Sequence, residues 1–223
     1  MKSGTIGRAL GLVSLVLPIL WTLAPEAGQA QTARAESYGV SVRSALVNQK
    51  ATYAVLPAGG AMAEDQAQSV DVAGLVTAED VFAIATGAAD ATYGTSAEGS
   101  STLGRVSILS GLITADGVVA IASSAVDEGV SSSNAAGSSL ANLVVNGVAM
   151  PGVAPNTRVS LPGVGYVVLN EQIRNAGGIT VNMIRVVQQT VIPGTCTFLG
   201  CTPDVTNTTG EIVVGSASSQ AGS

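Results

Sequence analysis

Histidine is absent from this 223-residue chain. Ser-His-Asp and Cys-His nucleophile systems are therefore excluded, and so are histidine-ligated zinc sites. Charged residues make up only 11% of the sequence, less than half the usual quarter or so, and aromatic residues only 3%. No basic cluster exists to neutralise phosphates, and the aromatic residues are too few for a base-stacking platform, so nucleic acid is not an expected partner. The 27 glycines follow no G-X-Y period, which excludes collagen. Beyond the first thirty residues no run approaches 18 unbroken apolar positions, so no later segment is expected to span a membrane. What is abundant is small and apolar: 47% of the chain is hydrophobic, which with so little charge argues against disorder.

Residues 1–30 read as a secretory signal peptide. Lys2 and Arg8 form a positive start, Ala9 to Leu23 is an apolar stretch, and small residues precede a cleavage point after Ala30. Ala33-Arg34-Ala35 offers a second cleavage point, after Ala35. The apolar stretch is interrupted by Pro18 and falls short of the roughly 20 residues that cross a bilayer. Trp21, the only tryptophan, would leave with it. Removing Lys2, Arg8 and Glu26 leaves seven basic and fourteen acidic residues, a net charge of −7. In an exported chain the two cysteines, Cys196 and Cys201, are most simply one disulfide closing a short loop within residues 193–205. A metal site would need further soft ligands that the sequence does not contain.

Residues 31–223 read as one β-rich domain. Alternation with period two marks Tyr38–Val42, Val70–Val72 and Val106–Ile108, while Val81–Ala85 and Val118–Ala122 are continuous apolar runs that suggest strands covered on both faces. Further strands are expected over Ala141–Asn146, Val159–Leu161, Tyr166–Leu169, Ile179–Gln188 and Glu211–Gly215. Turns are expected at Asn146-Gly147, Pro162-Gly163 and Ala176-Gly177-Gly178. A short helix over Ala61–Gln68 is the one helical alternative. Residues 74–90 and 111–127 match at ten of seventeen positions with a spacing of 37 and no gap. A weaker echo at the same spacing joins residues 101–108 to 138–145. The fold expected is an all-β antiparallel sandwich or related double sheet with a duplicated strand-bend-strand unit. A short β-solenoid is the alternative, although two copies fall below the three that solenoids need.

Several segments together carry a family resemblance: Ser110–Asp116, Leu140–Gly147, Leu161–Gly165 with Leu169–Gln172, Ile179–Asn182 and Ile212–Ser216. In their order and spacing they resemble the choice-of-anchor P family of exported bacterial proteins, from about Tyr38 to Ala217. The resemblance implies an extracellular or envelope location and carries no catalytic residue. The sequence departs from the family pattern in showing no sorting tail after its last strand. Leu161-Pro162-Gly163-Val164-Gly165 has Val164 where a sortase signal needs threonine, and it reads as a turn.

With no histidine, paired carboxylates are the remaining catalytic option, as in glycoside hydrolysis. Candidates are Glu79, Asp80, Asp116 and Glu171, yet acids after Thr-Ala at a strand end also serve simply to solvate a turn. Asp90, Asp116, Asp127 and Glu128 are candidate ligands for a weak extracellular calcium site, although no D-x-D-x-D-G loop is present. No other cofactor is expected. The function expected is that of a non-catalytic exported protein acting in surface structure, matrix or adhesion, with surface components or further copies of itself as partners. Calcium or glycan binding is the alternative, and a carboxylate-dependent hydrolase a remote one.

Overall fold

The computed structural model describes residues 32–58, 60–90, 94–198 and 200–222. The segment read as a signal peptide and Tyr93 lie outside them. Among the described residues there is no helix, and hence none long and apolar enough to cross a membrane. In chain order the strands are β1 (Thr32–Ser44), β2 (Asn48–Val55), β3 (Ala61–Val72), β4 (Val76–Asp90), β5 (Gly94–Ile108) and β6 (Ile113–Asp127). They continue with β7 (Val130–Asn134), β8 (Ser139–Leu140), β9 (Val144–Val145), β10 (Val148–Ala149) and β11 (Thr157–Leu161). The last five are β12 (Gly165–Asn175), β13 (Gly178–Ile192), β14 (Cys196–Thr197), β15 (Gly200–Cys201) and β16 (Val205–Gly222).

Two antiparallel sheets stack face to face. The first has the order β11-β12-β13-β16-β1-β2 and the second β10-β9-β6-β5-β4-β3, with β7 and β8 also on the free side of β6. β16 and β13 lie over β6 and β5, while β1 and β2 lie over β4 and β3. This is the expected sandwich, and the solenoid alternative does not apply. The segment considered as a helix, Ala61–Gln68, is the outer edge strand β3, in register with β4 from Ala61↔Gly87 to Val72↔Val76. Cross-strand pairing overrides the helical preference of its alanines.

A line of irregularities crosses both sheets. In the first, pairing steps over Thr52, Gly39, Gly215, Met183 and Asn170; in the second, over Gln68, Asp80, Gly104 and Gly117. Thr52, Gly215, Asn170, Asp80 and Gly117 have positive φ, on alternate strands of each sheet. The step changes the parity of burial. β4 buries Val76 and Ala78 before it but Val81, Ala83 and Ala85 after it, and β6 does the same with Ile113, Ala115, Val118, Ala120 and Ala122. A parity slip in a flat strand would turn the apolar set outward; here paired strands skip one residue together without a shift of register, and one face stays inward. The bend expected within the duplicated unit, Gly74 to Glu79 and Gly111 to Asp116, thus starts in the β3–β4 and β5–β6 turns and runs into the crease.

Positions 37 apart take matching conformations. Ala73-Gly74 and Ser110-Gly111 form positive-φ turns, and Asp80 and Gly117 both sit at the crease. Val76 pairs with Ile108 as Ile113 pairs with Val145, so β4–β5 and β6–β9 are equivalent pairings in one sheet. The apolar runs Val81–Ala85 and Val118–Ala122 are not covered on both faces. Phe82, Ile84, Val119 and Ile121 are only half-buried, on the outer side of the second sheet.

The interior divides in two. Around and beyond the crease it is built mainly of Val, Ile, Leu and Met, including Ile108, Ile113, Leu169, Met183, Ile184 and Ile212. The other half is built of Ala35, Ala54, Ala83, Ala85 and Ala97 around Leu56. There the sheets meet almost backbone to backbone. A Cβ on Gly99 of β5 would lie 2.7 Å from the carbonyl oxygens of both Glu36 and Ser218 on the opposite sheet. Hydroxyls join the layers directly, Ser124 Oγ to Ser219 Oγ at 2.7 Å and Ser37 Oγ donating to Ile84 O at 2.9 Å.

Candidate functional site

Polar and aromatic groups gather on the outer face of the first sheet. The register places Glu171, Asn182, Ser216, Tyr38 and Tyr53 in one row across β12, β13, β16, β1 and β2. Their chain neighbours Val181 and Ala217 point into the core, so strand alternation turns this row outward. Glu171, Asn182 and Ser216 are nonetheless buried. Asn182 Nδ2 donates to Glu171 Oε2 at 2.8 Å, and Ser216 Oγ donates to Asn182 Oδ1 at 2.7 Å. Arg185 bridges two acids, with Nη1 donating to Glu171 Oε1 at 2.9 Å and Nε to Glu211 Oε1 at 2.6 Å. Burial alone would lower the Arg185 pKa, but the hydrogen bond to Glu211 and the charge of Glu171 outweigh it, and the net shift is upward.

The same row continues into a second cluster. Lys50 Nζ lies 4.4 Å from the Tyr38 ring centroid, 4.2 Å from that of Tyr53, and 2.8 Å from Glu36 Oε1. An ammonium between two ring faces and a carboxylate is held by the ring quadrupoles as well as by charge. Burial raises the Tyr38 phenol pKa, and its hydrogen bond with Ser216 offsets part of that rise. At the far edge of the face Arg158 stacks on Tyr166, its guanidinium carbon 3.6 Å from the centroid. Three of the chain's four tyrosines thus lie on one sheet face, each against a cation or the polar row.

The acids singled out from sequence fall in three places. Glu79 and Asp116 flank Arg105 on neighbouring strands of the second sheet, with contacts of 3.2 and 3.9 Å, and all three side chains are more than half exposed. Asp80 aligns with Gly117 rather than with Asp116 and takes φ +52 at the crease. Glu171 is a buried partner of Arg185 and Asn182. Of the calcium candidates, Asp90, Asp127 and Glu128 lie near one end of the second sheet, at the end of β4 and at the β6–β7 turn. Asp116 is eleven residues from Asp127 along β6, roughly 35 Å at a strand's rise, so it cannot share a site with them. Among the described residues no group of three or more His, Cys, Asp or Glu is placed to hold a metal ion.

Cys196 and Cys201 form a disulfide, as the compartment reading expected. Asn146 and Gly147 both have positive φ between β9 and β10, as the two-residue hairpin turn requires. The Arg185 and Lys50 clusters were not legible as sites. The available signal was a lone charge in an apolar strand: Arg185 in Ile179–Gln188 and Glu211 in Glu211–Gly215 each demand a partner. Which partner depends on pairing between segments far apart in sequence.

The chain is thus an antiparallel β-sandwich with Tyr38, Tyr53, Tyr166, Lys50, Arg158 and Arg185 gathered on one outer face. No protein-family model matches the sequence, and neither curated proteins nor solved structures show significant similarity to it.

Proposed function

We propose that the chain is a non-catalytic exported protein that acts by surface contact, in cell-surface structure, matrix or adhesion. The observation that supports this best is the state of its charged groups. On the outer face of the first sheet Arg185 and Lys50 are each paired with the carboxylates beside them, and Glu171, the most buried acid among the described residues, has both oxygens occupied. Such a face is rigid and preformed, suited to contact rather than to proton transfer, which needs a group free to change state. The disulfide, the signal-like leader and the resemblance to choice-of-anchor P proteins support export.

A glycan is the second reading, favoured by Tyr53, which is 43% exposed beside the Lys50–Glu36 pair. An aromatic face next to paired hydrogen-bonding groups is a means of holding a sugar ring. Protease shaving and antibody labelling of intact cells test the location, and labelling only after lysis would overturn the reading. A glycan panel read by calorimetry, with Tyr53→Ala as control, separates the two: binding lost in the variant favours the glycan, and silence favours structural contact.

A further inference from the structure

β13 and β16 outrun their neighbours. β12 leaves β13 at Gln188, β1 leaves β16 at Gly210, and the two strands continue alone to the Ile192↔Val205 pair. Beyond it the disulfide-closed β14–β15 hairpin forms the tip. The result is a two-stranded arm, about four residue pairs or roughly 13 Å long before the tip. Between Gln189 and Thr209 every described residue is exposed except Gln189 and Gly194. Val191, Ile192 and Val205 are more than half exposed, and Phe198 at the tip is 96% exposed.

A two-stranded ribbon with both edges open is marginal by itself in water, and an open edge invites another strand. The tip is nonetheless built: Gly194 N–H donates to Asp204 Oδ1 at 2.8 Å, Thr195 N–H to Thr202 Oγ1 at 2.8 Å, and Thr202 N–H to Thr195 O at 3.0 Å. Natural edges are usually guarded by outward charge. Here Asp204 is the arm's one charge, and it is turned onto the tip's own backbone.

We infer that the arm is a homotypic docking element through which two copies of the chain pair edge to edge about a two-fold axis. This rests on the contact function proposed above and names its partner. Charge selects the occupant. An arm whose one charge is spent on its own backbone offers little grip to a basic or acidic partner, while two copies, each of net charge −7 without the leader, meet least repulsion where charge is scarcest. Strand symmetry agrees. Residues 189–192 run antiparallel to their own copy would set Gln189 against Ile192 and Thr190 against Val191, with no like charges opposed. Pro203 and Pro193 bound the arm's strands and limit the pairing to this stretch.

Sedimentation equilibrium on the purified, oxidised full chain tests the inference, alongside a variant carrying Ile192→Lys and Val205→Lys and another with residues 190–207 replaced by Asn-Gly. The expected result is a dimer whose dissociation constant rises at least tenfold in both variants, with melting temperatures unchanged. Because the lysines replace exposed side chains, that variant remains informative if the trimmed one misfolds. A monomer at all concentrations, or a dimer indifferent to both variants, would overturn the inference. So would arm-dependent open polymers, which mean head-to-tail contact, or a monomer that floats with phosphatidylcholine vesicles through its arm, which means a lipid partner. The location test on intact cells is independent, so loss of the dimer leaves the contact function standing, and a wrong location leaves the dimer measurable.

Discussion

Arg185 and Arg105 make ion pairs of the same chemistry in different surroundings. Arg185 joins Glu171, whose side chain is 12% exposed, to Glu211, whereas Arg105 and its acids stand mostly in water. Removing one member of a buried pair strands a charge, while exposed pairs contribute little. We predict that Arg185→Ala lowers unfolding free energy by about 2 kcal/mol, discounted from the roughly 3–5 of a fully buried pair, and that Arg105→Ala changes it by less than about 1 kcal/mol. Urea denaturation of the two variants checks the contrast; equal losses would mean that the Arg185 bridge is no better shielded than its exposed counterpart. Tyr38 supplies a pH dependence. Its pKa is raised in the folded state, chiefly by burial, so the folded chain holds the phenolic proton longer than the unfolded one. Its contribution is complete below the ordinary tyrosine range near 10 and is lost as pH climbs through the raised value. Melting temperature is expected to fall above about pH 10 and to fall less steeply in Tyr38→Phe, as calorimetry from neutral pH into that alkaline range would record.

At the scale of elements, the close approach of β5 to β1 and β16 is the most demanding feature. Gly99 stands where a methyl group would press on two backbone carbonyls at once, and backbone cannot swing aside as a side chain can. Overpacking of this kind costs about 1–3 kcal/mol or more. Gly99→Val is expected at or beyond the upper end, and Gly111→Ala, in open space at positive φ, near only about 1 kcal/mol. Thermal and urea unfolding of the pair would show whether the small-residue half is as tightly apposed as its contacts require. The disulfide belongs to the opposite case. Closing a loop this short contributes roughly 2 kcal/mol to whatever unit it constrains, and here that unit is the arm tip, whose described residues are nearly all exposed. Cys196→Ser with Cys201→Ser is therefore expected to leave global melting almost unchanged while hydrogen exchange over residues 193–203 accelerates. A large fall in melting temperature would show that arm and sandwich unfold together.

At the scale of the whole molecule, the two sheets divide their labour. The second is assembled from equivalent pairings 37 residues apart, and one of its edges is occupied by the short strands β7, β8 and β9. On the other side β3 and β2 bring the sheet edges together, where Asp65 Oδ2 accepts the Tyr53 N–H at 2.8 Å. Both flanks are thus partly closed against further strands, whereas among the described residues no strand lies beside the two strands of the arm. The molecule presents one polar face on its first sheet and one exposed two-stranded arm.

Alternation and turn chemistry were enough to determine from sequence the all-β class and the Asn146-Gly147 and Leu161–Gly165 turns, as were the cysteine count for the Cys196–Cys201 pairing and self-similarity for the spacing of 37. These are local or compositional, set by backbone preferences within a few residues. Strands such as β2 and the first half of β5 stayed hidden, because Asn48–Val55 and Gly94–Ser101 are polar or small and gain strand character only by pairing. The crease was equally hidden, since a parity change in burial has meaning only once the facing sheet says which side is inward. The Glu171–Arg185–Glu211 and Tyr38–Lys50–Tyr53 clusters, and the freedom of the arm, were decided by tertiary structure alone. Each depends on which distant strands lie side by side and where their pairing stops, and that is fixed by long-range register rather than by local propensity.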